Sequence, residues 1–202
     1  MVQLKLHLMV LFGFLFFFMV SNSQVVTQDY AKAAVKNQSS SLVSEQGFKI
    51  YNNPKYGISL KYPNNWNSVE NVGNISNHSI VANLYSYGYN NISAYTQNVN
   101  LVIGQLSNNR TSLQNYTTAG IAMLAHQFSN FTLDQINRTT LSANPANQII
   151  YTLNDGQTSV KQMQVWTLKD GKDYILTYSA APSSQFDIST AKKIFDSFVI
   201  VK

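Results

Sequence analysis

The sequence predicts an α+β fold built on a mainly antiparallel sheet. Three observations carry that reading. Several runs alternate apolar and polar residues with period two, as in Ile58, Leu60 and Tyr62 against Ser59 and Lys61. Asp-Gly dipeptides at 155–156 and 170–171 separate alternating runs, and Asp-Gly favours the positive φ of a tight hairpin. Two stretches repeat apolar residues at helical spacing. Strands therefore outnumber helices, and hairpins outnumber crossovers.

Taken in order, Phe48 and Ile50 alternate with Lys49 and Tyr51 in a first strand, and "NNPKYG" turns the chain. The second strand, Ile58 to Tyr62, stops at Pro63, which has no N–H for a ladder. Asn64 and Asn65 suit a turn, and Trp66 follows as a large apolar anchor for the core. Ile80–Tyr87 and Val99–Leu106 are further strands. In "TSLQNYTTAGIAMLAHQF", Leu113, Tyr116, Leu124 and Phe128 recur at helical spacing with Ile121 nearby, and Thr111 or Ser112 caps the start. "NQIIYTLN", "QTSVKQMQVWTLK" and "KDYILTYSA" form a three-stranded meander through the Asp-Gly turns. Phe186, Ile194, Phe195 and Phe198 are the buried side of a second helix capped by Asp187, and "FVIVK" closes the chain as a short strand.

Composition limits the function classes. Of 202 residues 45% are apolar, enough for a packed core, and 11% are charged, against about 25% in ordinary soluble domains. The net charge of +5 is scattered, with Lys192-Lys193 the densest pair. Nucleic-acid binding needs concentrated phosphate neutralisation, so no nucleic-acid partner is expected.

Residues 1–23 read as a signal peptide. Lys5 and His7 precede a thirteen-residue apolar run, Leu8 to Val20, short of the roughly 20 residues of a spanning helix. Ser21 and Ser23 place small residues before a cut at Gln24. The alternative is that the same run stays as an uncleaved anchor, the one membrane association expected. Residues 24–46 are a Ser/Asn-rich linker, and the folded domain spans 47–202. The chain has no Cys, so neither disulfides nor a cysteine lipid anchor are available.

The pattern N-x-S/T occurs eight times, at Asn37, Asn74, Asn77, Asn91, Asn109, Asn115, Asn130 and Asn137. Composition alone gives about four, so the excess favours a glycosylated, secreted or extracellular surface protein.

No catalytic constellation stands out. "GISLK" misses the serine-nucleophile elbow because Lys61 replaces its second glycine. His78, inside the sequon stretch "NISNHS", and His126 are expected to be exposed polar residues. Asp170 and Asp173 flank a hairpin, but two carboxylates are too few for a calcium cage. No cofactor or metal is expected. One ligand-binding candidate is a tyrosine stripe: Tyr85, Tyr87 and Tyr89, two apart, share one strand face and suit a sugar or protein surface.

The opening "GFKIYNNPKYGISLKYPNNWNS" and the closing "WTLKDGKDYILTYSAAPSSQFDISTAKKIFDSFVIV" resemble the PsbP-like family of the Mog/PsbP superfamily. The most specific residues are Trp166, Asp170, Gly171, Lys172, Tyr174, Ser179, Ala180, Ser197 and Phe198. The resemblance covers about residues 47–201. It implies an αβα sandwich, with helices covering an antiparallel sheet. The sequons and the leader together fit a secreted, archaeal-type member of the family, from an organism that glycosylates its exterior. Plant members of the family assist the oxygen-evolving complex of photosystem II. That role is implied by the family name alone, and the metal-associated histidines of those members have no counterpart in this sequence.

The resulting expectation is a non-enzymatic binding or accessory protein outside the cell, with a protein or surface-glycan partner. Two alternatives stand beside it: a carbohydrate-binding module using the tyrosine stripe, and an enzyme whose site is dispersed along the sequence.

Overall fold

The computed structural model describes residues 47–75, 78–88, 91–108, 110–154, 159–180 and 185–201. The leader, the linker, the Asp155-Gly156 turn, Tyr89 and the sequon residues Asn37, Asn77 and Asn109 lie outside the described residues.

The strands are β1 (Phe48–Asn53), β2 (Ile58–Pro63), β3 (Asn67–Ile75), β4 (His78–Gly88), β5 (Asn91–Gln105), β6 (Thr132–Leu141), β7 (Asn144–Asn154), β8 (Ser159–Lys169), β9 (Lys172–Ala180) and β10 (Val199–Ile200). The helices are α1 (Leu113–Gln127) and α2 (Ile188–Asp196). Seven strands form one sheet in the order β3-β4-β5-β9-β8-β7-β6, and three form a second in the order β1-β2-β10. Every pairing among the described residues is antiparallel.

Local chemistry explains the turns. Asp170 and Gly171 both take positive φ, 51° and 73°, as a two-residue hairpin that matches the sheet twist requires. Pro63 ends β2, the Trp66 N–H donates to the Pro63 carbonyl at 3.0 Å, and the indole is buried as core material. In β1 the buried positions are Tyr51 and Asn53, while Phe48 and Ile50 are half-buried.

Each face of the large sheet carries its own core. One joins the sheet to α2 through Ala191, Ile194 and Phe195, and to the small sheet through Ile58, Leu60 and Tyr62, with Trp66 and Phe198 from just outside those elements in the same cluster. The other joins it to α1 through Tyr116, Met123 and Leu124 against Ile149, Trp166 and Ile175. The first of these faces thus meets a small sheet as well as a helix.

Helix α2 has its cap as expected. Asp187 accepts from the Thr190 N–H at 3.0 Å and from the Thr190 hydroxyl at 2.7 Å. The Thr190 side chain, then its backbone N–H, hold the Asp187 carboxyl below its usual value. A carboxyl depressed on folding stabilises the fold above its unfolded pKa and loses that contribution as pH falls through the folded one. We expect Asp187→Ala to cost about 1 kcal/mol at neutral pH. Urea denaturation in acid below the folded pKa should show the difference shrinking.

Candidate functional site

The face of the large sheet beneath α1 holds the polar chemistry of the molecule. The register lays down two adjoining rows across it. One runs Asn83, Asn100, Thr177, Gln164, Ile149, Ile136; the other runs Tyr85, Asn98, Ser179, Gln162, Tyr151, Leu133. From β4 to β8 every position in these rows is polar or tyrosine, and all of them are buried.

Neighbouring strands bond to one another through this floor. The Asn98 amide donates to Asn83 Oδ1 at 3.3 Å, and the Gln164 amide donates to the Thr177 hydroxyl at 2.7 Å. The Gln162 amide donates to the Ser179 hydroxyl at 2.8 Å, and the Tyr151 hydroxyl donates to Gln162 Oε1 at 2.5 Å. Burial pushes the Tyr151 phenol well above its ordinary value, so it stays a neutral donor. Asn98 Oδ1 and Gln164 Oε1 have no hydrogen-bond partner among the described residues. Leaving such acceptors buried costs about 1–3 kcal/mol each, so folding alone does not favour them.

At the end of the sheet near the start of α1, three distant residues meet. His78 Nε2 lies 2.9 Å from Asp173 Oδ2, and the Tyr116 hydroxyl donates to the same oxygen at 2.6 Å. Register explains the meeting, since Gly104 on β5 is the cross-strand partner of both His78 and Asp173. Burial, then the neighbouring Asp173 carboxylate, raise the Tyr116 pKa well above the usual phenol value. His78 is 4% exposed and Asp173 1%. The expectation of an exposed His78 is therefore corrected: β4 begins at His78 itself and turns the ring into the interior. His126, in contrast, is exposed in the last turn of α1.

The next residue of α1 marks the second feature. The Thr117 hydroxyl accepts from Asn147 Nδ2 at 2.7 Å and from the Trp166 indole N–H at 3.1 Å, while donating to the Leu113 carbonyl at 2.8 Å. Above this junction an open cleft separates α1 from β6. It holds about 340 Å³ and is lined by Gln114, Thr117, Thr118, Ile136, Asn137, Arg138 and Asn147. Arg138 is its one charged residue, is exposed, and sits opposite Asn147 in the ladder. The cleft can hold a polar group by amide and hydroxyl bonds, with a guanidinium suited to a carboxylate.

The candidates read from the sequence distribute differently. Tyr85 is 3% exposed and belongs to the buried floor, so it forms no part of an open stripe. The side chains of Tyr87 and Asn91 lie outside the described residues. Asn74, Asn115, Asn130 and Asn137 are exposed. Asp170 is exposed in its turn, whereas Asp173 is internal. Among the described residues no three His, Asp or Glu side chains cluster to hold a metal ion, and no helix is long and apolar enough to cross a membrane. Sequence reading missed the cleft entirely. Its one signal was the polar run of β6, which lacks an apolar face.

Known proteins agree on the architecture. The family model described as PsbP-like protein matches residues 10–200. Cyanobacterial PsbP (CyanoP) from Synechocystis is similar in structure, with TM-score 0.58 and 15% identity over 80% of this chain and 97% of that one. LpqN of Mycobacterium tuberculosis, described as involved in cell envelope biogenesis, gives TM-score 0.50 and 14% identity over 85% and 96%. At these identities the likeness is one of fold. No curated protein matches in sequence. With its alternating strands, Asp-Gly hairpin and capped closing helix all in place, and with the family match running through nearly its whole length, the chain belongs to the PsbP-like family.

Proposed function

We propose that this PsbP-like protein is an exported, cell-surface binding or accessory module without enzymatic activity, and that it engages a protein partner at the cleft between α1 and β6. The observation that carries the reading is the cleft itself. It is open, it is lined by amides and hydroxyls, and its one charge is a guanidinium. Such a lining recognises an acidic side chain and peptide groups, and it offers no acid–base pair for catalysis. The buried ionisable cluster of His78, Asp173 and Tyr116 is sealed in the interior and does not line the cleft. Export is supported by the leader pattern and by the exposure of Asn74, Asn115, Asn130 and Asn137. The glycan-binding alternative is weakened by the burial of Tyr85.

The test compares wild type with Arg138→Gln. A partner captured from native membranes is purified and titrated against both by calorimetry. Loss of a charge-assisted bond of about 1.5–3 kcal/mol should weaken binding at least about tenfold. Equal affinities would remove the cleft from the interface.

A further inference from the structure

An open sheet has two edges, and each presents unpaired N–H and C=O groups to any other strand. In the large sheet those edges are β3 and β6. Strand β6 is the more vulnerable. It is ten residues long, and every residue from Thr132 to Thr140 is exposed. Ile136 is 52% exposed and Leu133 36%. It contains neither Pro nor Gly, is rich in Thr and aliphatic residues, and its two charges, Asp134 and Arg138, cancel. Those are features of segments that pair with copies of themselves.

Natural edges are usually interrupted by bulges, lysines or proline. Here a bulge at Asp134 breaks the register between Leu133 and Gln135, and Asp134 is engaged by Lys161 at 3.0 Å. From Gln135 to Leu141 the pairing to β7 is uninterrupted, and Arg138 is the one charge in that flat stretch. The N-x-S/T asparagine Asn137 stands in its middle. Asn130 precedes the strand by two residues. On the opposite edge, β3 has its own bulge between Glu70 and Gly73, and Asn74 follows directly. Three of the four sequon asparagines whose exposure is described thus lie on or beside an edge strand of the large sheet. The edge strands of the small sheet are β1 and β10, of six and two residues, and contain no sequon.

We propose that Asn137 is a glycan attachment site, and that its glycan keeps β6 from pairing with β6 of a second copy. The inference rests on the export reading above. The Asn137 amide nitrogen bonds to C1 of a sugar activated as a C1 phosphate ester. The C1–O bond to that phosphate breaks, the phosphate leaves with the electron pair, and it takes up the amide proton. A bulky, hydrated chain then stands at the centre of the flat stretch. By strand alternation Asn137 shares a face with Gln135, opposite Ile136 and Arg138. Asn137 also lines the cleft, so the glycan stands at its β6 rim, on the strand face opposite Ile136 and Arg138.

Three measurements test this. Peptide mass spectrometry of protein from the native host should find the 137 sequon modified and the leader removed. Sedimentation of unmodified recombinant protein should show self-association at least about tenfold tighter than that of the native form. Ile136→Lys, an exposed change that places a charge on the edge, should abolish that association. Exported protein with an unmodified Asn137 would overturn this inference and leave export standing. Protein retained inside the cell with its leader intact would overturn both. A monomeric unmodified protein, or association indifferent to Ile136→Lys, would remove the capping role.

Discussion

Gly104→Ala is expected to lower stability by about 4 kcal/mol and the thermal midpoint by roughly 10 °C. A methyl carbon there would lie 2.0 Å from His78 Cδ2, 2.2 Å from His78 Nε2 and 2.3 Å from Asp173 Oδ1. Neither group can swing away cheaply. The imidazole is held by Asp173, and Asp173 is held by Tyr116, all in a buried setting. The methyl must either force the strands apart or break a charge-assisted bond in the interior, and both are costly. Circular dichroism melts measure the effect. The double variant with His78→Ala removes the imidazole part of the obstruction, leaving Asp173 Oδ1, and should recover part of the loss, which a propensity effect of alanine in a strand would not show. A midpoint within about 2 °C of wild type would mean that the cluster is loosely held.

The second large effect is expected at Trp166. The indole is buried on the α1 face, donates to Thr117 and meets the Tyr116 ring at 6.4 Å between centroids. Trp166→Ala removes the largest side chain of that core and should cost about 4 kcal/mol, with Trp166→Phe losing about half as much. The two tryptophans divide between the two cores, Trp66 on the α2 side and Trp166 on the α1 side. In Trp166→Ala the remaining emission therefore reports from the undamaged face. One urea transition, coincident by Trp66 fluorescence and far-ultraviolet dichroism, is expected if the shared sheet couples the cores. Two separated transitions would show that α1 and its face unfold alone.

Much of the fold was legible along the chain, because local chemistry repeats at fixed spacing. The Asp170-Gly171 hairpin needed its left-handed residues, and Asp187 capped α2 from three positions before Thr190. Phe195 entered the core as the helical spacing required, whereas Phe186 and Phe198, expected on the same helix, lie outside that helix, Phe186 half-buried before its start and Phe198 buried after its end. Helix α1 was located closely: Ser112, one of the two caps offered, starts it, and Phe128, expected on its apolar stripe, is instead the residue that caps its end. Two strands were missed, each for a physical reason. Strand β3 is broken by a bulge, which shifts its alternation midway. Strand β6 has no buried face to mark it, and its strand form comes from pairing with β7.

The site was far less legible. His78 and Asp173 are 95 positions apart and share only Gly104 as a cross-strand partner. Gln162 and Gln164 alternate with Met163 and Val165, a pattern that reads as one wet face and one dry face. The structure buries both. The sequence by itself determined the antiparallel hairpins, the two helices and their caps, because those depend on neighbours a few residues away. Tertiary structure alone decided which face was buried, which histidine was internal and where a guanidinium met an open cleft. Those outcomes depend on strand register and layer packing, which bring distant residues together without any local signal.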